Sequence, residues 1–334
     1  MNVRQVAWSG VRIAAGFGLV AIVVSGADWR ALTTALVATP LLALLACLLP
    51  VIGSLVEGIR IQALYRAQGL HVPFGIAFRI IIISSLFNLV IPGATGGDIV
   101  KIWYLKSVTK SGKTRAAAIW FVDRLTGVFS LLLLVSVVGL ANLSLVRSEP
   151  LLRVLYTSAV AVALGVIGAV FLSRTRLVDM TVGMFTRFRR LHGIVSGVAN
   201  AVQTFHERPM TLVIATSISM VGHLALLVTF IIAGRFLMPD AGAGRVALLS
   251  LFGLFANALP LTPGGLGVGE AAFDGLFHLV GIDGGARLLL LWRLGLLPVC
   301  LAGGVLYMIG IRHLHDQDAI EGPPADVLAS EADA

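Results

Sequence analysis

Two apolar stretches of this chain are interrupted in the same way. Phe87-Asn-Leu-Val-Ile-Pro-Gly-Ala-Thr-Gly-Gly-Asp98 recurs in altered form as Phe255-Ala-Asn-Ala-Leu-Pro-Leu-Thr-Pro-Gly-Gly265. In each copy an Asn precedes a Pro by one helical turn and a Thr precedes a Gly-Gly pair. The likeness continues downstream, because Arg124 follows Gly97 by 27 residues and Arg293 follows Gly265 by 28. Proline and glycine stop a helix wherever they fall together, so one such break says little. Two breaks with a matching arginine predict an internal duplication.

The surroundings of the breaks fix the solvent. Only 13% of the 334 residues are charged, 57% are hydrophobic, and the mean hydropathy is +0.95, against about a quarter charged in soluble domains. This predicts an all-α integral membrane protein. Six apolar stretches are long enough to cross a bilayer, which takes about 20 residues: roughly 8–27, 39–57, 116–140, 153–172, 211–234 and 287–311. The first carries Arg12 and is long for a signal core, so it is read as a span. Two further segments, 76–97 and 246–281, are apolar but contain the breaks. Backbone that leaves helical geometry at membrane depth must be shielded by protein or line a wet cavity, which makes both segments candidate re-entrant hairpins.

The charge distribution orients these pieces. Most of the 25 Lys+Arg fall at the N-terminus, in 58–79, 101–115 and 173–210, and at the start of the tail, which the positive-inside rule assigns to the cytoplasm together with both termini. The first broken segment then has basic flanks on both sides and enters from the cytoplasm. The second is flanked by the sparse charges Arg245 and Arg287 and enters from outside. Repeat one, about 1–143, and repeat two, about 150–311, come out inverted. The competing topology makes both broken segments full kinked spans, at the cost of placing Lys101 to Arg115 outside. Residues 185–205 carry apolar residues at helical spacing and predict an amphipathic helix on the cytoplasmic surface. Residues 312–334 form an acidic tail expected to be disordered.

Composition also excludes functions. The net charge of +8 follows membrane topology and anionic lipid, with no nucleic-acid partner implied. Cys47 and Cys300 lie in apolar runs, so neither a disulfide framework nor a metal site is expected. Ser111-Gly-Lys-Thr114 lacks the earlier glycine of a nucleotide loop, which falls at Ser107. Gly265-Leu-Gly-Val-Gly269 lacks the strand of a dinucleotide fingerprint. His223 and His278 stand alone in apolar helices. No cofactor is expected.

What remains is intramembrane charge, which is costly and usually faces a bundle interior. Asp123, Arg124, Arg293, Glu270 and Asp274 are of this kind. Neighbours on a helix point about a hundred degrees apart, so Asp123 and Arg124 each need a partner from elsewhere. Glu270 and Asp274 share a helix face and would repel if both were ionised. Two readings of the arginines stand. In one, Arg124 and Arg293 hold a phosphate with their planar guanidinium groups, helped by the N–H groups exposed beyond Gly96, Gly97, Gly264 and Gly265. In the other, they pair with Asp123, Asp98 or Glu270 and only hold the bundle together.

Ile91-Pro-Gly-Ala-Thr-Gly-Gly-Asp-Ile-Val-Lys101 with Asp123-Arg124, and Leu261-Thr-Pro-Gly-Gly-Leu-Gly-Val-Gly-Glu270, resemble the lysylphosphatidylglycerol synthase transmembrane region family. The resemblance runs from about residue 8 to 311. It implies lipid translocation between leaflets, in a bacterial inner membrane, with Asp98, Arg124, Glu270 and Arg293 as the positions carried over. Lys101 stands where an arginine is expected, which keeps the charge but not the bidentate geometry. Larger relatives attach a soluble aminoacyltransferase or glycosyltransferase domain, and the longest hydrophilic stretch here, 173–210, is too short to build one. The expected cargo is therefore an anionic phospholipid or a polyprenyl-phosphate lipid, and the protein is expected not to be an enzyme. Two alternatives remain: a membrane-embedded lipid-phosphate transferase, with Glu270 or Asp274 as base, and a non-catalytic partner of a separately encoded lipid-modifying enzyme.

Overall fold

The computed structural model describes residues 40–90, 96–109, 113–172, 209–258, 265 and 267–309. Among these residues the fold is all helical. The expected first span at 8–27, the surface helix at 185–205, the tail at 312–334 and Gly264 lie outside the described residues. The helices are α1 (Pro40–Ala67), α2 (Phe74–Val90), α3 (Gly96–Thr109), α4 (Lys113–Ala141), the short α5 (Leu143–Ser148), α6 (Pro150–Leu172), α7 (Pro209–Leu237), α8 (Ala243–Ala258), α9 (Val268–His278) and α10 (Gly285–Ile309). Five contain stretches long and apolar enough to cross a membrane: Leu48–Ala67, Arg115–Ala141, Pro150–Gly168, Pro209–Leu237 and Gly285–Tyr307. The protein is a multi-pass membrane protein.

Both predicted breaks fall between two described helices. The first separates α2 from α3 and the second separates α8 from α9, and in each case the two arms pack on each other. Neither arm reaches 18 residues, so at 1.5 Å per residue the longest, α2, extends about 25 Å. One boundary differs from expectation. The span expected to end at residue 57 continues as helix to Ala67, which carries Arg60 into the bundle. The helix can continue because Arg60 meets a carboxylate there, as described below.

The packing repeats between halves. Helix α1 packs on α10 as α7 packs on α4; α2 packs on α10 as α8 packs on α4; α1 packs on α2 as α7 packs on α8. The equivalent helices α1 and α7 pack on each other and run antiparallel, since Val56 abuts Gly222 while Arg60 meets Ser219. The two hairpins lie at different ends of α4. The Arg115 guanidinium, at the start of α4, donates to the Gln68 carbonyl just before α2. At the far end of α4, Gly244 at the start of α8 lies against the Asn142 amide.

The apolar interior is correspondingly divided. One core gathers Leu64, Tyr65, Ile80, Leu105 and Ile119 around the first hairpin. The other gathers Leu134 and Val135 of α4 with Phe230, Leu248, Phe273 and Leu288 around the second. Helix α4 serves both: Val122 belongs to the first core and Leu131 to the second. Between those two residues lie Asp123, Arg124, Thr126 and Ser130, a polar band at the boundary.

Candidate functional site

The polar band of α4 meets the break of the first hairpin. Helix α3 begins at Gly96, so Asp98 occupies its first turn, where a carboxylate is favoured by the unpaired N–H groups and dipole of the helix start. The Gly97 N–H is satisfied from the other arm, donating to Asn88 Oδ1 at 3.0 Å. Glycine is required there, because a Cβ would collide with the Ser84 carbonyl and the Asn88 side chain. This close approach brings Asp98 to α4, where the Arg124 guanidinium donates to its Oδ2 through Nε at 3.0 Å and also through NH2.

The acid and base do not stand alone. Lys101, one turn along α3, lies with its Nζ 3.6 Å from Asp98 Oδ1 and forms an ion pair with Glu57 of α1. Arg60, one turn beyond Glu57, grips Asp123 with two bonds, Nε to Oδ1 at 2.7 Å and NH2 to Oδ2 at 3.1 Å. Its remaining nitrogen donates to Ser219 Oγ of α7 at 3.0 Å. One turn further along α7, the His223 ring lies 2.8 Å from Ser130 Oγ, whose hydroxyl donates to the Gly127 carbonyl. Three carboxylates and three cations thus form a neutral cluster. Asp98, Asp123 and Lys101 are buried in it, whereas Arg124 keeps 43% of its side-chain surface open and Glu57 31%. A charge cluster in a low-dielectric bundle is tolerable only when paired in this way.

The second break builds the same clasp with fewer parts. Gly265 has φ of 71°, a left-handed conformation that favours glycine, and a Cβ there would fall 2.6 Å from the Asn257 carbonyl. Glu270, in the first turn of α9, accepts from the Gly267 N–H at 2.8 Å and so caps its own helix. Its Oε1 lies 2.5 Å from Arg293 Nε of α10. Arg293 NH2 also donates to Asn257 Oδ1 at 2.9 Å and to the Gly265 carbonyl at 3.0 Å. Asp98 and Glu270 are both the third residue of a second arm, and both pair with the arginine of the following long helix.

The geometry therefore joins Asp98, Lys101, Asp123 and Arg124 in one cluster and Glu270, Arg293 and Gly265 in another. As the sequence required, Asp123 and Arg124 find separate partners. Asp274 is exposed on α9, apart from the buried Glu270. His223 is a bonded bundle residue, and His278 pairs with Asp283 at an exposed turn. Glu57 and Arg60 were not among the expected site residues. The available signal was their spacing of three at the end of an apolar run whose pattern continues through Ile61, Leu64 and Tyr65. Among the described residues no group of three or more His, Cys, Asp and Glu could hold a metal ion.

A family model described as the lysylphosphatidylglycerol synthase transmembrane region matches residues 8–304, which includes both breaks and both acid-arginine clasps. The chain belongs to this family. The lysylphosphatidylglycerol synthase transmembrane region is a membrane domain tied to lipid modification or translocation. Comparison with curated proteins and with solved structures found no match for this chain.

Proposed function

We propose that this protein moves a phosphate-bearing lipid, either an anionic phospholipid or a polyprenyl-phosphate lipid, between the leaflets of a bacterial inner membrane, and that it does so without chemical conversion. The observation that carries this reading is the recurrence of the acid-arginine clasp at the second arm of both broken hairpins. Of the two copies, the first keeps its arginine partly open beside a helix start, where helix N–H groups and a guanidinium together suit a phosphate, while the enclosed second copy holds its hairpin in place.

In this reading the protein has six spans, with 8–27 as the first, and two re-entrant hairpins in inverted repeats. Support comes from the exchange-related packing of the halves, from the antiparallel run of α1 on α7, and from the hairpins lying at different ends of α4. Broken helices of inverted repeats meeting near mid-membrane are a recurrent transporter design. Arg124 lies eleven residues into α4, about 17 Å from its start, which in this reading sets its guanidinium below the membrane surface, where a translocating headgroup would pass. With both termini in the cytoplasm, the first hairpin opens inward and the second outward.

The test is scrambling of fluorescent phosphatidylglycerol and of a polyprenyl-phosphate lipid in proteoliposomes. Wild type is expected to move at least one of them, and Arg124→Ala to reduce the rate by about tenfold or more, the size of one lost charge-assisted contact. Wild-type protein that moves neither lipid while remaining folded overturns the reading.

A further inference from the structure

The six-charge cluster is held unevenly. Asp98 uses Oδ2 for both bonds from Arg124, while its buried Oδ1 makes no hydrogen bond and faces Lys101 Nζ at 3.6 Å. Lys101 spends its close contact on Glu57. The lysine thus lies between two carboxylates and is tight to only one. Arg124 keeps 43% of its side chain exposed, and a phosphate arriving there competes for the guanidinium with Asp98. Asp98 is buried and cannot be left with less cation, so the lysine beside it has to move closer. Glu57 is then left, partly open to the site, without its partner.

Resting on the translocation reading, we infer that Glu57 is the proton-coupling residue of this site: a lipid phosphate on Arg124 draws Lys101 from Glu57 to Asp98, and Glu57 takes up one proton in exchange. The charge balances. The cluster is neutral before, with three carboxylates and three cations, and neutral after, because the phosphate's negative charge and the proton enter together. In a low-dielectric bundle an unbalanced charge is expensive, so the two events are linked without any large movement of backbone.

The groups facing Glu57 fit this assignment. Arg60 lies one turn along α1 but is committed to Asp123 by two bonds. Lys101 and Asp98 face it from α3, Arg124 and Asp123 from α4, with Tyr65 on its own helix and His223 of α7 beyond Arg60. Among the described residues, α2 and α10 bring no ion-pairing group to it. Of the cations around Glu57, Lys101 is the one ion-paired with it, and it also lies 3.6 Å from the buried Asp98.

The experiment uses the full-length chain in detergent, in weak buffer with a pH dye, titrated with short-chain phosphatidylglycerol whose binding is measured in parallel. For wild type we expect about one proton taken up per lipid bound near neutral pH, by the charge balance above. Glu57→Gln is expected to take up none per lipid bound, and Glu57→Asp to restore the uptake, which separates titration at this position from a folding defect. Wild type that binds lipid without proton uptake, or Glu57→Gln that takes up as much per lipid as wild type, overturns the assignment and leaves translocation standing. Wild type that binds neither this lipid nor a short-chain polyprenyl phosphate titrated in the same way overturns both.

Discussion

The two halves of this protein carry one backbone device and two chemistries. In each, a broken hairpin places a carboxylate in the first turn of its second arm, and the arginine of the next long helix takes hold of it. The first half surrounds that clasp with Glu57, Arg60, Lys101 and Asp123. The second surrounds it with Asn257, the Gly265 carbonyl and an apolar core. Arg124 keeps 43% of its side chain open, whereas Arg293 keeps 13%. A guanidinium enclosed by both Glu270 oxygens, an amide and a carbonyl is a fastener; one as exposed as Arg124 is within reach of an arriving anion. In the proposed translocation the shared backbone placement serves two ends: the enclosed clasp holds the fold and the exposed one meets the lipid.

The sharpest way to break this comparison is to remove each arginine in turn. Arg293→Ala strips Glu270 of its buried partner, for which the expected loss is about 3–5 kcal/mol of stability. Arg124→Ala leaves Asp98 with Lys101 beside it and should cost about 1–2 kcal/mol, the scale of a charged hydrogen bond at a part-open position. Thermal unfolding in detergent reads both, and lipid scrambling reads the opposite ranking: Arg124→Ala lowers transport by about tenfold or more in a folded protein. Equal stability losses would mean that the two clasps do the same work.

How far the sequence alone leads follows the same division. Both breaks, five of the apolar spans, and the need for separate partners at Asp123 and Arg124 were legible, because proline, glycine and mid-membrane charge each impose a local demand that the backbone must meet. The partners themselves were not. Arg60 reads as a loop residue when only hydropathy sets the span end, and its burial depends on Asp123, 63 residues later in the chain. Glu57 reads as the edge of an apolar run, and only the crossing of α1 near α3 gives it Lys101. Asn88 and Asn257 stood in plain view in the repeated motif, yet their purpose, facing the start of the second arm, depends on the arms folding together.

A smaller difference is expected at the glycines that permit those folds. Gly97→Ala and Gly265→Ala both press a methyl group on the opposite arm, an overpacking cost of about 1–3 kcal/mol each. Of these two, only Gly265 also has a positive φ, which adds about 1–2 kcal/mol for a side chain. The second hairpin should therefore lose more, in line with its role as the rigid copy, and the same unfolding measurement gives the difference. Gly97→Ala should instead show its effect in transport, by moving Asp98 relative to Arg124.

The smallest stability effect is expected where the halves touch. Arg60 donates to Ser219 and His223 pairs with Ser130, two polar contacts that join one half to the other. Interhelical hydrogen bonds in membranes average only about 0.6 kcal/mol, so Ser219→Ala should barely change unfolding. Arg60 keeps both bonds to Asp123 in that variant, so the cluster stays paired. If the halves rock against each other, however, this bond must break in every cycle while the bonds within each half persist. Removing it should then raise the rate of lipid scrambling by about threefold, the kinetic equivalent of that small energy, with no loss of lipid binding. A Ser219→Ala protein that scrambles at the wild-type rate would locate the moving joint away from α1 and α7, and a slower one would make the contact part of the site.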